Sequence, residues 1–177
     1  METAMRHSLT DRMIGAAMLS VPVYEEVEAD VTATTQAAIV VGVVAVCSAI
    51  GHWRLGPMGL VSGVLSAYVG WAVWSAVTYY VGTWLGGKAT WGEMLRTIGF
   101  AQTPGVLLIF GFIPFLGWLP RLVAAIWMLI AGIVAIRQAL DFDNQTGKAI
   151  ITAVIGLLLY LVASAIIGMI LRLSGVL

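Results

Sequence analysis

The sequence predicts an all-α fold, a polytopic membrane helical bundle of five transmembrane helices with short amphipathic interfacial helices. Of its 177 residues, 60% are hydrophobic and 10% are charged, and the mean hydropathy is +0.99. Soluble domains are about half apolar and about a quarter charged, so this composition indicates an integral membrane protein. A chain of this length is expected to form one membrane domain, 1–177, in which a cytoplasmic amphipathic region, 1–31, precedes a transmembrane bundle, 32–177.

Residues 1–31 are expected to form two short helices at the bilayer surface. Asp11 is a candidate N-cap for the first helix, and Pro22 suits the first turn of the second. The second helix carries an acidic strip, YEEVEAD at 24–30, and no Lys or Arg occurs between Arg12 and Arg54. The strip therefore lacks a local basic partner. A solvated surface and a functional cluster remain equally open interpretations of it.

Three apolar runs have the length of transmembrane helices, which need about 20 residues to cross a bilayer. They occupy about 34–50, 58–85 and 149–171. The second run contains Gly63 and Gly70 in small-xxx-small spacings, which let the backbones of two helices approach closely. Close packing against another helix is therefore expected at both glycines.

Two shorter apolar runs, 105–119 and 122–136, are separated only by Pro120 and Arg121. Because each is shorter than a typical span, they either cross the bilayer together with their flanks or form a re-entrant hairpin. Two spans are preferred, because Trp118 and Arg121 resemble an interfacial turn.

The segment WGEMLRTIGFAQTP, 91–104, is the longest mixed polar segment between long apolar runs. At helical spacing its apolar and polar residues fall on opposite faces. Thr90 and Glu93 have the spacing of a capping box, which predicts the start of a helix. This helix is expected to lie along the membrane surface, with its polar face towards 24–30 or 137–144.

Basic residues favour one orientation of a five-span bundle. Five spans place the N-terminus and the two polar segments that follow on one side, which carries six basic residues against three on the other. The excess predicts a cytoplasmic N-terminus and an external C-terminus. The six are Arg6, Arg12, Lys88, Arg96, Arg137 and Lys148, and the three are Arg54, Arg121 and Arg172.

Four short motifs occur in a distinctive order: YEEVEAD, an apolar run beginning TQAA, RTIGFAQTP, and a span ending RQALD. In this order they resemble the bacterial branch of the YIP (Ypt/Rab-interacting) membrane protein family. The resemblance runs from Tyr24 almost to the C-terminus and implies five membrane helices with a cytoplasmic N-terminus. Eukaryotic relatives act in Golgi and endoplasmic-reticulum trafficking and can bind Rab GTPases, but their aspartate-leucine-tyrosine-glycine-proline motif is absent here. The positions that the resemblance marks as functional are Tyr24, Glu25, Glu26, Asp30, Arg96, Gly99, Pro104, Arg137 and Asp141.

The sequence carries no motif for catalysis. It has no Gly-rich phosphate loop, no Ser/His/Asp set, no His-Glu-x-x-His zinc motif and no cysteine pair. The single cysteine, Cys47, lies within an apolar run, where a packed thiol is the ordinary role. We therefore expect no enzyme activity, no cofactor and no bound metal.

Two functions fit this architecture. The first is a membrane scaffold or adaptor, because short amphipathic helices insert into one leaflet of the bilayer. Such a protein would act in membrane organisation or trafficking. The alternative is a small channel or transporter with a carboxylate and arginine site for ions or protons at the cytoplasmic side. The expected partners are the lipid bilayer, partner membrane proteins and a second copy bound through small-xxx-small helix faces. The formal net charge of zero gives no indication of nucleic acid.

The acidic strip needs cations if it is drawn out of water, since buried carboxylates are stable only when paired. We predict that Arg96 and Arg137 dock onto Glu25, Glu26 and Asp30 as a structural ion network. The competing hypothesis is a divalent cation held by the same carboxylates.

Overall fold

The protein is described by a computed structural model that covers residues 8–52, 56–143 and 145–173, without the side chains of 56–58, 164, 167, 168 and 170–173. These residues form helices and connecting turns, and no strand occurs in the ranges described. The all-α membrane bundle is thus confirmed. The helices are α1 Leu9–Ala17, α2 Val21–Ala29, α3 Ala33–Gly51, α4 Gly56–Trp84, α5 Trp91–Ala101, a 3₁₀ segment Thr103–Phe112, α6 Trp118–Ala139 and α7 Thr146–Leu173.

Helix α1 begins at a capping box. The Ser8 hydroxyl accepts a hydrogen bond from the Asp11 backbone N–H (3.2 Å), and the Asp11 carboxylate accepts one from the Ser8 N–H (3.2 Å). Ser8 is therefore the N-cap, and Asp11 is its reciprocal partner three residues on rather than the cap itself. Pro22 lies in the first turn of α2, as expected.

Helices α3 and α4 confirm the first two predicted spans, and they pack closely at Gly42. A Cβ atom at Gly42 would lie 2.6 Å from the Tyr68 hydroxyl, which donates to the Ala38 carbonyl at 3.1 Å. The predicted close packing at Gly63 and Gly70 is wrong for the described part of the chain. A Cβ at Gly63 meets nothing within 4 Å, and one at Gly70 meets only the Tyr160 hydroxyl at 3.8 Å.

Helix α5 starts at the predicted capping box of Thr90 and Glu93, but it does not lie on the membrane surface. It is buried by neighbouring helices from Arg96 to its end, and it continues into the 3₁₀ segment after a bend of 41°. Pro104 explains the break, because its ring clashes with the carbonyl four residues earlier and it has no N–H. The freed Phe100 carbonyl accepts instead from the Thr103 hydroxyl, at 2.7 Å.

The bent pair runs alongside α3 through most of the length of that helix. A Cβ at Gly99 would lie 2.7 Å from Ala37, and one at Gly105 would lie 2.5 Å from Val44. A Cβ at Gly51, the last residue of α3, would overlap the backbone of Leu108 in the 3₁₀ segment. The bent pair therefore forms one broken span, which is the third crossing in chain order and brings the total to five.

Helix α6 contains Pro120 and Arg121 in its first turn, so these residues do not separate two spans. The turn lies earlier, at 113–117, and the apolar run 105–119 is not an independent helix. Arg121 secures this end by donating to the carbonyls of Gly51 (3.1 Å) and Gly111 (2.9 Å).

Four described helices, α3, α4, α6 and α7, are continuous, long and apolar enough to cross a membrane, and the bent pair makes five. Their outward faces expose apolar side chains such as Leu65, Leu129 and Leu158, which is typical of a lipid-facing surface. The orientation stays a prediction, and the side chains of Arg6, Arg54 and Arg172 that enter it lie outside the described residues.

Candidate functional site

A buried arginine joins the first three helices. Arg12, on α1, is only 1% exposed. Its guanidinium donates to the Glu26 carboxylate at 2.7 and 3.0 Å, to Asp30 at 2.8 Å and to the Gln36 amide oxygen at 2.9 Å. Glu26 and Asp30 belong to the predicted acidic strip, and Gln36 lies on α3. The strip thus has a cationic partner, which is Arg12.

Asp30 ends α2 and directs the chain into α3. One carboxylate oxygen accepts from the Thr32 hydroxyl (2.6 Å) and backbone N–H (3.0 Å), while the other accepts from Arg12. Hydrogen bonds from Thr32 and Arg12 stabilise the ionised form, so they lower the pKa of Asp30 to about 2. The turn therefore depends on an ionised carboxylate.

Arg96 is also buried, at 5% exposure, but it binds carbonyl oxygens instead of carboxylates. Its Nε donates to the carbonyls of Val27 and Glu28, at 3.1 Å each, and its Nη2 also donates to Glu28. These carbonyls belong to the last turn of α2, where no intrahelical donor exists and the helix dipole favours a cation. The predicted docking of Arg96 onto the acidic side chains is wrong, because Arg96 caps the helix that carries them.

Three further predicted positions serve packing. Tyr24 is fully buried, donates to the Ala16 carbonyl at 3.2 Å, and has its pKa raised by burial. Gly99 lies against Ala37 of α3, and Pro104 lies buried at the break in the third crossing.

The remaining predicted residues line a polar recess of about 510 Å³ between α2 and the α6–α7 turn. The Gln138 amide connects two of them, since it donates to Glu25 at 3.2 Å and accepts from Arg137 at 3.0 Å. Arg137 also donates to the Thr146 hydroxyl at 3.3 Å, and forms no ion pair with a described carboxylate. Its predicted docking onto Glu25, Glu26 and Asp30 is therefore wrong. The recess is lined by Val21, Glu25, Glu28, Arg137, Gln138, Asp141 and Asp143.

Asp141 occupies an unusual backbone position at the rim of this recess. It follows the C-cap of α6 with a positive φ of 51°, in the left-handed region that glycine favours. Its N–H binds the Gln138 carbonyl at 3.0 Å, and the Phe142 N–H binds the Arg137 carbonyl at 3.0 Å. These two bonds form a Schellman motif, which fixes the carboxylate against the recess.

Glu28 is the half-buried carboxylate of the recess. Burial, followed by the negative charges of Asp141 and Glu93, raises its pKa to about 7. Arg96 opposes this shift, and Glu25 adds to it. In the part of the chain that the structure describes, no group of three or more His, Cys, Asp or Glu residues is placed to hold a metal ion. The hypothesis of a bound divalent cation thus finds no preformed site among these residues.

Arg12, Gln36, Glu28 and Gln138 were not among the predicted site residues. One signal for Arg12 was present in the sequence, because it is the basic residue nearest in sequence to the acidic strip. Nothing comparable marked the two glutamines, whose roles depend on which helices meet.

The fold and the contacts of the two buried arginines, which we call the Arg12 lock and the Arg96 lock, define a class of protein. It is an integral membrane bundle of five crossings, to which two short N-terminal helices are attached. Comparison with known protein families identifies the family. The Yip1 domain matches residues 13–166, so the chain belongs to the Yip1 domain family. No curated protein and no solved structure gives a significant match.

Proposed function

We propose that the protein is a membrane scaffold or adaptor without catalytic activity, which acts in membrane organisation or trafficking by binding a basic segment of a partner membrane protein. The observation that carries this proposal is the polar recess. It combines four carboxylates, Glu25, Glu28, Asp141 and Asp143, with one cation, Arg137. A volume of about 510 Å³ is within the range of ligand pockets, and its acidic lining suits Lys or Arg side chains.

The recess is held in shape by the contacts around it. Arg12 and Arg96 both hold the C-terminal part of α2, and the Schellman motif fixes the turn that carries Asp141. A binding surface that is already ordered loses less conformational entropy when a partner docks. An ordered recess is therefore better suited to binding a partner than a disordered tail with the same charges would be.

Binding of a fluorescent Lys/Arg-rich peptide to the protein in neutral-lipid nanodiscs tests the proposal. The double substitution Asp141→Asn and Asp143→Asn should weaken binding roughly tenfold, since each exposed pair contributes up to about 1 kcal/mol. Asn tolerates a positive φ, so the Schellman motif should persist. Arg137→Gln is the matched control, because it removes the cation and should strengthen binding. Equal affinity for an acidic peptide, or the same change in both variants, would overturn the proposal.

One observation favours the alternative, a small channel or transporter with an ion or proton site. Glu28 has a pKa of about 7, which suits a group that gains and loses protons at neutral pH. Against it, the sequence places no charged residue near the centre of α3, α4, α6 or α7. Proton and cation flux into proteoliposomes, absent in Glu28→Gln, would replace the adaptor with this function.

Orientation and assembly remain part of the proposal. We propose an N-terminus in the bacterial cytoplasm, an external C-terminus and a second copy bound at the Gly63 face of α4, where a Cβ would meet nothing within 4 Å in a small gap beside α3. Labels at the two termini in intact cells test the first point. Finding both termini accessible, or both protected, would refute it.

A further inference from the structure

A second cavity, of about 520 Å³, lies between α4 and α6, where α5 and α7 complete its lining, and it opens on the outer surface of the bundle. Along α6 its lining extends from Ala125 to Ile136, which is eleven helical steps, or roughly 16 Å. Its volume is within the range of ligand-binding pockets. No Lys, Arg, Asp or Glu lines it in the described part of the chain.

Besides the indoles of Trp71 and Trp74, the polar side chains that line this cavity are Ser66, Gln102 and Tyr160. None of the three has a hydrogen-bond partner for its side-chain polar group among the described residues. Gln102 follows α5 at the break, between Gly99, which faces Ala37, and Gly105, which faces Val44. Its amide is therefore level with the middle of α3, where an unpaired amide in hydrocarbon is costly.

Neither water nor empty space suits this cavity. A buried water needs two to four polar partners, while the lining is predominantly apolar, and its few polar side-chain groups, those of Ser66, Gln102 and Tyr160 with the indoles of Trp71 and Trp74, are too few to satisfy the many waters that this volume would hold. An empty cavity of this size forfeits the dispersion contacts of its whole lining. Leu129 and Leu157 line the cavity and are about half exposed on the surface of apolar spans, so the cavity is continuous with the lipid-facing surface.

We propose that this cavity binds an uncharged amphiphilic lipid, a long hydrocarbon chain that carries a hydroxyl or carbonyl head. The head exchanges hydrogen bonds with Gln102, Tyr160 and Ser66, and the chain lies along α6 towards Ile136. The absence of a charged lining residue among those described excludes a phosphate or carboxylate head, because a buried charge needs a partner. This site is distinct from the polar recess, and it does not depend on the proposed function.

The test uses a photoreactive, clickable long-chain alcohol and a phosphatidylcholine that carries the same photoreactive chain. The protein in nanodiscs is labelled with each probe, and the labelled peptides are mapped by mass spectrometry. A Cβ at Gly132 would meet nothing within 4 Å, although Gly132 lines the cavity, so Gly132→Leu should fill the space without strain. Gly63→Leu is the matched control, because a Cβ there is equally unobstructed and Gly63 does not line this cavity.

The alcohol should label α6 between Ala125 and Ile136 saturably, and unlabelled alcohol should compete. Gly132→Leu should lose most of that labelling, whereas Gly63→Leu should retain it. The phosphatidylcholine should label the outer surface without saturation. Equal, unsaturable labelling by both probes, or no loss in Gly132→Leu, overturns the proposal. Disulfide-linked dimers of Leu129→Cys in a Cys47→Ala background would overturn it in favour of a second copy at this cavity.

A second variant keeps the test decisive if Gly132→Leu does not fold. Gln102→Leu has nearly the same volume and removes the unpaired amide. Wild type should rise in melting temperature with added alcohol, since a ligand of the folded state stabilises it, and Gln102→Leu should lose most of that rise. An unchanged rise would show that the head is not held at Gln102 and would overturn the assignment.

Discussion

Arg12 and Arg96 are both almost fully buried and both hold α2, but they hold it by different chemistry. Arg12 binds the side chains of Glu26 and Asp30, and Arg96 binds backbone carbonyls at the end of the same helix. The Arg12 lock pairs opposite charges, so it depends on ionised carboxylates. The Arg96 lock uses oxygens that never titrate. The difference shows that one helix can be held by two contacts, of which one weakens when carboxylates are protonated at low pH and the other does not.

Removal of Arg12 should have the largest effect. Arg12→Met removes the guanidinium that binds Glu26 and Asp30 in a partly buried site, and breaking such a pair typically costs about 3 to 5 kcal/mol. Arg12→Lys should recover little, because one ammonium cannot match the fork that reaches three side chains. Chemical denaturation in detergent measures both. A loss below about 1 kcal/mol would show that the pair behaves as an exposed surface ion pair.

Removal of Arg96 should cost less. Arg96→Met leaves the Val27 and Glu28 carbonyls unsatisfied, and losing hydrogen bonds from a charged donor costs about 1.5 to 3 kcal/mol. No described ion pair is broken in this variant, and the only carboxylate named above that loses a favourable neighbouring charge is Glu28. If Arg96→Met proved more destabilising than Arg12→Met under the same conditions, the distinction between the two locks would fail.

The pH dependence should separate two carboxylates of the strip. Folding lowers the pKa of Asp30 from 3.8 to about 2, so its stabilisation is present above 3.8 and is lost as the pH falls towards 2. Folding raises the pKa of Glu28 from 4.5 to about 7, so stability gains as the pH falls from 7 to 4.5. The melting temperature should be measured against pH for wild type and both variants. Asp30→Asn should lose the fall in melting temperature between pH 3.8 and 2, and Glu28→Gln should lose the rise between pH 7 and 4.5. Parallel curves for all three proteins would contradict these assignments.

The smallest effect should come from Thr32. Thr32→Val removes the hydroxyl that donates to Asp30 at 2.6 Å, while Arg12 keeps its own contact with that carboxylate. We expect a loss of about 1 kcal/mol, typical of one hydrogen bond, and a rise in the pKa of Asp30. The fall in melting temperature at acid pH should therefore begin at a higher pH than in wild type. Thr34→Val, which removes a hydroxyl bonded only to the Val31 carbonyl, is the matched control.

Sequence patterns predicted the spans α3, α4 and α7 well, because a long apolar run in a membrane has few alternatives to a helix. The capping box of Thr90 and Glu93 was also predictable, since it depends on residues three apart. The position of α5 was not. An amphipathic pattern shows which face is polar, but it does not show whether that face meets water or, as for Arg96, the end of another helix.

The site was predictable only in its need for cations. The acidic strip implied basic partners, and Arg12 is the nearest of these in sequence, but nearness in sequence does not show which basic residue docks. The choice of Arg12 depends on how α1 packs against α2, and the role of Glu28 depends on the turn that brings Asp141 near it. Such contacts between helices leave no periodic signal in the chain.

The two locks also differ in when they can form during synthesis. The Arg12 lock lies within the first 36 residues, so it can close as soon as the N-terminal segment leaves the ribosome. Arg96 lies 69 residues beyond Val27, so α2 has no cap until two further membrane helices have been made. Until the crossing that contains α5 is inserted, the N-terminal helices are therefore attached to α3 through Gln36, and a chain stalled before Arg96 would lack the second attachment.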